Sequence, residues 1–247
     1  ATFLVFNGFQ MVASFSYFII VFYMYKGSYE AAGTVPALFS IIGAVVTSVL
    51  VIPVVTFLAN KFGKKNAFII STVISIIGYM LKWIGFVEVD ENTIMLFRDA
   101  TLQVGVVKFF VQIPLILLLP VPFMAFGLGG LFTLMMSMTA DVCDLDELRN
   151  GLPRREGTFG AIYWWMVKIG QSIALVLGGL VLSFVGFDAG KSIQSLETMN
   201  NLRIWDIIIP SLTAGLAIVI MWKYDLSETK AKEIKEELIK RRAELSI

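Results

Sequence analysis

Apolar residues fall in six long runs separated by short polar clusters, at about 1–25, 34–57, 67–87, 111–140, 157–187 and 204–224. A hydrocarbon layer about 30 Å thick is crossed by about 20 apolar residues in helical form. Lipid offers the backbone no hydrogen-bond partner, so such runs satisfy their own amides as α-helices. The pattern therefore predicts an all-α membrane protein: a six-transmembrane-helix bundle over residues 1–225, then a polar tail helix over 226–247. The fourth run is the longest, and Pro114, Pro120 and Pro122 predict a kink in it. Residues 88–110 mix charges with apolar positions and are expected to form a helix lying in the interface.

Composition narrows the class further. Of 247 residues, 57% are hydrophobic and 16% are charged, and the mean hydropathy is +0.79. Soluble domains carry nearer a quarter charged residues. The net charge of +1 gives no sign of a nucleic-acid partner, because the charges lie in short clusters between apolar runs, and none is expected. Histidine is absent and Cys143 is the sole cysteine. No intrachain disulfide, metal site or cofactor is expected on that inventory. Nucleophile triads and phosphate-binding loops are also missing, so the chain is not expected to be an enzyme. It opens inside an apolar run without a basic leader, which reads as a piece of something longer.

Lysine and arginine set the expected orientation. Thirteen of the twenty basic residues lie in the second connection, the fourth connection and the tail. The positive-inside rule then puts the amino end and the tail in the cytoplasm. The tail can be capped by Ser227, carries an apolar stripe at Ala231, Ile234, Leu238 and Leu245, and is expected to be mostly solvated.

Polar residues inside the spans are the candidate chemistry. Asn7, Gln10, Ser14 and Tyr17 share an arc of roughly 80° on the first span, which predicts a cavity-lining or interhelical stripe. Lys168 falls near the middle of the fifth span, where a charge is disfavoured by about 2.5–3.5 kcal/mol even on the lenient insertion scale. Trp164 and Gln171 share its face. An ammonium beside an indole and an amide suits a hydroxyl-rich solute, and no carboxylate of the chain's own spans is expected to pair with it. Lys82 is expected to snorkel from the outer end of the third span. Gly127, Gly129 and Gly130 permit close helix contact or bending, and Ser71, Ser75 and Gly78 read as a packing face. Asp141, Asp144, Asp146 and Glu147 beside Arg149, Arg154 and Arg155 predict an ion-pair network rather than a metal site.

Two stretches carry a family resemblance. TADVCDLDELRNGLPRREGTFGAIYWWMVKIGQ, residues 139–171, resembles the signature between helices ten and eleven of the glycoside–pentoside–hexuronide:cation symporters. That is the melibiose-carrier-like branch of the major facilitator superfamily. FLANKFGKKNAF, residues 57–68, resembles the superfamily's cytoplasmic loop motif, with Thr56 in place of its first glycine and Asn60 in place of its aspartate. The resemblance implies that the chain is the carboxyl-terminal half of a major facilitator fold, helices seven to twelve plus the tail. It implies a sugar- and cation-coupling role for Lys168, and places Phe132 where the family has a cavity tryptophan. Tyr163 and Trp164 stand where the family has polar cavity residues. Asp141, Asp144, Glu147, Arg149, Arg154, Arg155 and Glu156, with Lys61, Lys64 and Lys65 of the second connection, would form a gating ion-pair loop. The coupling cation, Na⁺ or H⁺, would be bound mainly by an amino-terminal six-helix half.

Three readings follow. The first is half of a cation-coupled symporter for a sugar, glycoside or related small organic solute, in a bacterial cytoplasmic (inner) membrane. The second keeps the fold and moves lysophospholipid or another amphipathic solute. The third is a six-helix membrane scaffold without transport.

Overall fold

The computed structural model describes residues 1–96, 101–104, 107–110, 113–151 and 154–244. Among them are six helices long and apolar enough to cross a membrane: Thr2–Met24, Tyr29–Phe62, Lys64–Gly85, Leu115–Asn150, Glu156–Phe184 and Leu196–Trp222. A seventh, polar helix follows at Glu228–Glu244. The sixth helix begins eight residues before the apolar run does, because Ser195 caps it by accepting from the Thr198 amide at 3.0 Å. Gly63, at φ 80°, turns the chain between the second and third spans.

The prolines of the fourth run act differently from expectation. Leu115–Leu118 form a 3₁₀ turn, and the α-helix starts at Val121 with Pro122 in its first turn. The amides that proline lacks are unpaired there in any helix, so these residues start the span instead of kinking it. The expected interfacial helix is also absent from the described part of 88–110. Met95–Leu96 pairs antiparallel with Ile113–Pro114, and Thr101–Val104 with Val107–Phe110. The sequences TLQV and VKFF are rich in β-branched and aromatic residues, which fit extended ladders better than a helix.

Small residues let the spans close up. A Cβ on Gly127 would lie 3.0 Å from the Ser75 Cβ, and one on Gly130 would lie 2.8 Å from the Ser71 Cβ. A Cβ on Gly129 would meet Val51 at 2.7 Å. These glycines thus serve close packing of the fourth span on the second and third. The third and fourth spans are the most extensively packed pair, while the first packs on both the fifth and the sixth. Burial is uneven: the first span is the most enclosed and the second the least.

The tail helix is docked rather than solvated. Ala231, Ile234 and Leu238 of its apolar stripe are buried, whereas Leu245 lies outside the described residues. Arg242 grips Glu147 through Nε at 3.0 Å and Nη2 at 2.5 Å, and Arg241 donates to the Leu148 carbonyl at 3.3 Å. The apolar stripe finds the end of the fourth span, and the basic face finds that span's acidic residues.

Candidate functional site

The fifth span presents its polar group on an open side of the bundle. Lys168 is exposed, and among the described residues its Nζ reaches only the Gln171 Oε1, at 3.4 Å. Trp164, one turn earlier and 48% exposed, lies 6.2 Å from the Phe132 ring of the fourth span and 5.5 Å from Tyr163. Phe132 in turn meets Phe6 edge-on at 5.9 Å. The fold therefore gathers Phe132, Tyr163 and Trp164 into one aromatic cluster, with the Lys168–Gln171 pair on the same helix. Tyr163 is 7% exposed and is the buried member of the cluster.

The polar stripe of the first span divides. Asn7 is buried and its Nδ2 donates to the Gly170 carbonyl at 3.0 Å, so it joins the first and fifth spans instead of facing a cavity. Gly170 makes this possible, since a Cβ there would stand 3.3 Å from the Phe3 carbonyl oxygen. Ser14 returns its hydroxyl to the Gln10 carbonyl of its own helix, and Gln10 itself is half-buried. Tyr17 lines a separate cavity of about 590 Å³ between the first, second and fourth spans.

The tail-side cluster assembles most of its expected members. Asp141 is buried and pairs with Lys64 and, at 3.6 Å, with Lys235 of the tail. Arg154 bridges Asp144 and Glu156, both at 2.9 Å. Arg155 holds Asp146 through Nε at 2.7 Å, and that hydrogen bond pushes the guanidinium above its ordinary range. Hydrogen bonding to Glu147 does the same for Arg242. Three expected members lie elsewhere. Lys61 sits over the Phe57 and Phe62 rings at 5.7 and 5.3 Å. Lys65 donates to the Trp222 and Tyr224 carbonyls at 2.6 and 2.9 Å, closing the end of the sixth span. Arg149 is exposed and makes no ion pair among the described residues.

A second charged cluster escaped the sequence reading. Lys82 does not snorkel: it is 2% exposed, pairs with Asp206 of the sixth span, donates to the Ser16 Oγ at 2.9 Å and lies 4.9 Å from the Phe86 ring. The spans thus do contain a carboxylate, and it serves Lys82 rather than Lys168. Arg203, one residue before the sixth apolar run, is 6% exposed inside the sixth helix. Its guanidinium sits between the Tyr23 and Trp83 rings at 4.3 and 4.2 Å, donating to the Tyr23 hydroxyl and the Trp83 carbonyl. The signal was in the chain: opposite charges at positions 82 and 206 fall at the same end of two spans.

Among the described residues, no group of three or more acidic, cysteine or histidine side chains is placed to hold a metal ion. A family model described as MFS/sugar transport protein matches residues 1–228. The glucuronide carrier protein homolog of Escherichia coli (strain K12) is 26% identical over 77% of this chain and 36% of its own length. The isoprimeverose transporter of Lactiplantibacillus pentosus is 23% identical over 78% of this chain and 35% of its own. The sodium-dependent lysophosphatidylcholine symporter 1-A of Danio rerio is 28% identical over 42% of this chain and 20% of its own. The matches thus cover about a third or less of these relatives' lengths.

Proposed function

The chain belongs to the MFS/sugar transport protein family, and on that premise we propose that it forms the carboxyl-terminal half of a cation-coupled symporter for a sugar or glycoside. An amino-terminal six-helix half would cover the open side of the bundle. The observation that carries this reading is Lys168, an ammonium near mid-span on an exposed face, with a single long contact, to Gln171, among the described residues. A charge at that depth is tolerated only toward water, a solute or an opposite charge. The aromatic cluster beside it offers ring faces to the C–H side of a sugar, while Lys168 and Gln171 offer donors to its oxygens.

In this mechanism the two halves rock about the central site. Lys168 binds the solute directly or pairs with a carboxylate of the other half. Cation occupancy at that carboxylate then changes what Lys168 offers the solute, which is the thermodynamic coupling a symporter needs. The tail-side ion pairs, with the docked tail helix, would close the cytoplasmic end when the site opens outward. Both the amino end and the tail would face the cytoplasm across a bacterial inner membrane, following the basic residues.

The expected outcome for Lys168→Ala in the intact transporter is loss of coupled uptake in proteoliposomes at unchanged expression. Uptake equal to the parent's would defeat the assignment. A second reading, an amphipathic lysolipid-like solute, is favoured by the similarity to the lysophosphatidylcholine symporter and by the exposed indole of Trp164. Competition between glycosides and lysolipids for binding to the intact transporter separates the two.

A further inference from the structure

The cavity of about 590 Å³ between the first, second and fourth spans is within the size range of small-molecule sites. It does not include Lys168, Trp164 or Gln171 among its walls. Most of its lining is apolar, as at Phe9, Val12 and Leu128. Two of its hydroxyls are committed to their own helices: Ser40 donates to the Pro36 carbonyl at 3.1 Å, and Thr47 to the Gly43 carbonyl at 2.8 Å. Ser16 is different. Its oxygen accepts from the Lys82 ammonium at 2.9 Å, and no acceptor for its own hydrogen is found among the described residues.

A hydroxyl has one donor and two acceptor sites. A cation on one lone pair draws electron density from the O–H bond and strengthens it as a donor, most of all in a low-dielectric setting. Lys82 cannot turn to the cavity itself, because Asp206 and the Phe86 ring hold it in the interior. Ser16 belongs to the cavity lining although it is only 4% exposed, so the charge of Lys82 reaches the wall through a polarised hydroxyl without net charge. With the Tyr17 phenol as the other hydroxyl on the lining, such a wall favours a neutral, mostly apolar group that carries an acceptor oxygen. An anion would lose its hydration without meeting a full countercharge there, and a bare hydrocarbon would leave the Ser16 hydrogen unpaired.

We propose that this cavity is a second subsite, which takes the apolar aglycone of a glycoside and orients it by donation from the Ser16 hydroxyl to an aglycone oxygen. The inference rests on the glycoside reading above and extends it to a part of the solute that Lys168 does not touch.

The test uses Ala37→Cys, on the cavity wall, in the intact transporter; the native Cys143 is buried and gives a low background. Alkylation by N-ethylmaleimide is followed with a free sugar, its phenyl glycoside and its 4-methoxyphenyl glycoside, and transport of the same compounds is measured in parallel. Both aryl glycosides should protect the introduced thiol and the free sugar should not. The methoxy compound should protect at about three- to tenfold lower concentration, the scale of one net hydrogen bond. Ser16→Ala should erase that difference, whereas Ser16→Thr and Ser40→Ala should keep it. The subsite is overturned if the introduced thiol is unreactive in the intact transporter, if aryl glycosides are transported without protecting it, or if Ser16→Ala leaves the methoxy preference intact. Protection without transport of any of the three compounds would support the subsite and count against the symporter reading instead.

Discussion

Two lysines in membrane-spanning helices meet opposite treatment. Lys82 is enclosed by three groups the six spans supply themselves, Asp206, Ser16 and the Phe86 ring, where the third and sixth spans pack together. Lys168 is given one amide at 3.4 Å and an open face. Burying Lys82 costs desolvation, which its ion pair and hydrogen bond offset; in the proposed symporter the cost of Lys168 would be met from outside these six helices. A lysine that the fold satisfies locally is a structural anchor, and one that it leaves waiting is a candidate for function.

Removing either partner should separate the two cases sharply. Asp206→Ala strands the Lys82 ammonium in the interior and should destabilise the bundle by about 3–5 kcal/mol, read as a lowered unfolding midpoint in detergent. The double replacement Lys82→Met, Asp206→Leu should recover most of that loss. Lys168→Ala should leave the same midpoint within about 0.5 kcal/mol, as for other surface positions, while removing uptake. Equal loss of stability in Asp206→Ala and Lys168→Ala would erase the distinction. A smaller effect is expected where the first span meets the fifth. Asn7→Ala deletes one interhelical hydrogen bond, worth about 0.6 kcal/mol on average in membrane bundles, and should be measurable only against the parent in parallel.

The smallest effect is a pH dependence at the tail side. Burial, reinforced by Asp141 and Glu228, pushes the Tyr224 phenol up to about 12 from its ordinary value of 10.0. The folded state therefore favours the protonated phenol. Its contribution is intact below about pH 10 and is lost as the pH rises through about 12. Tyr224→Phe should flatten that part of the stability profile relative to the parent.

The six spans were legible because hydrocarbon thickness imposes one length on every crossing, and apolar runs of that length stand out from 57% hydrophobic composition. What was lost lay at the ends. Asp206 and Arg203 sit on helix that extends to Leu196 beyond the apolar run, so the sequence pattern placed them at or outside the membrane edge. The tail's docking was half visible: its stripe was read, but the partners Glu147 and Asp141 lie about a hundred residues away and only tertiary structure pairs them. At the candidate site the aromatic cluster of Phe132, Tyr163 and Trp164 came together. Asn7 did not, since a polar stripe on one helix cannot tell a water-facing position from one that meets a neighbour's carbonyl.

Which way position 168 looks in the intact transporter decides whether that lysine serves transport. Lys168→Cys, treated with a charged, membrane-impermeant thiosulfonate, measures that directly against the buried Cys143. Modification of the introduced thiol at a rate comparable to a cysteine in a known aqueous loop is the predicted result. A thiol at this position that stays inert to the charged reagent, yet reacts with a lipid-soluble maleimide, would put the side chain among acyl chains and contradict the account.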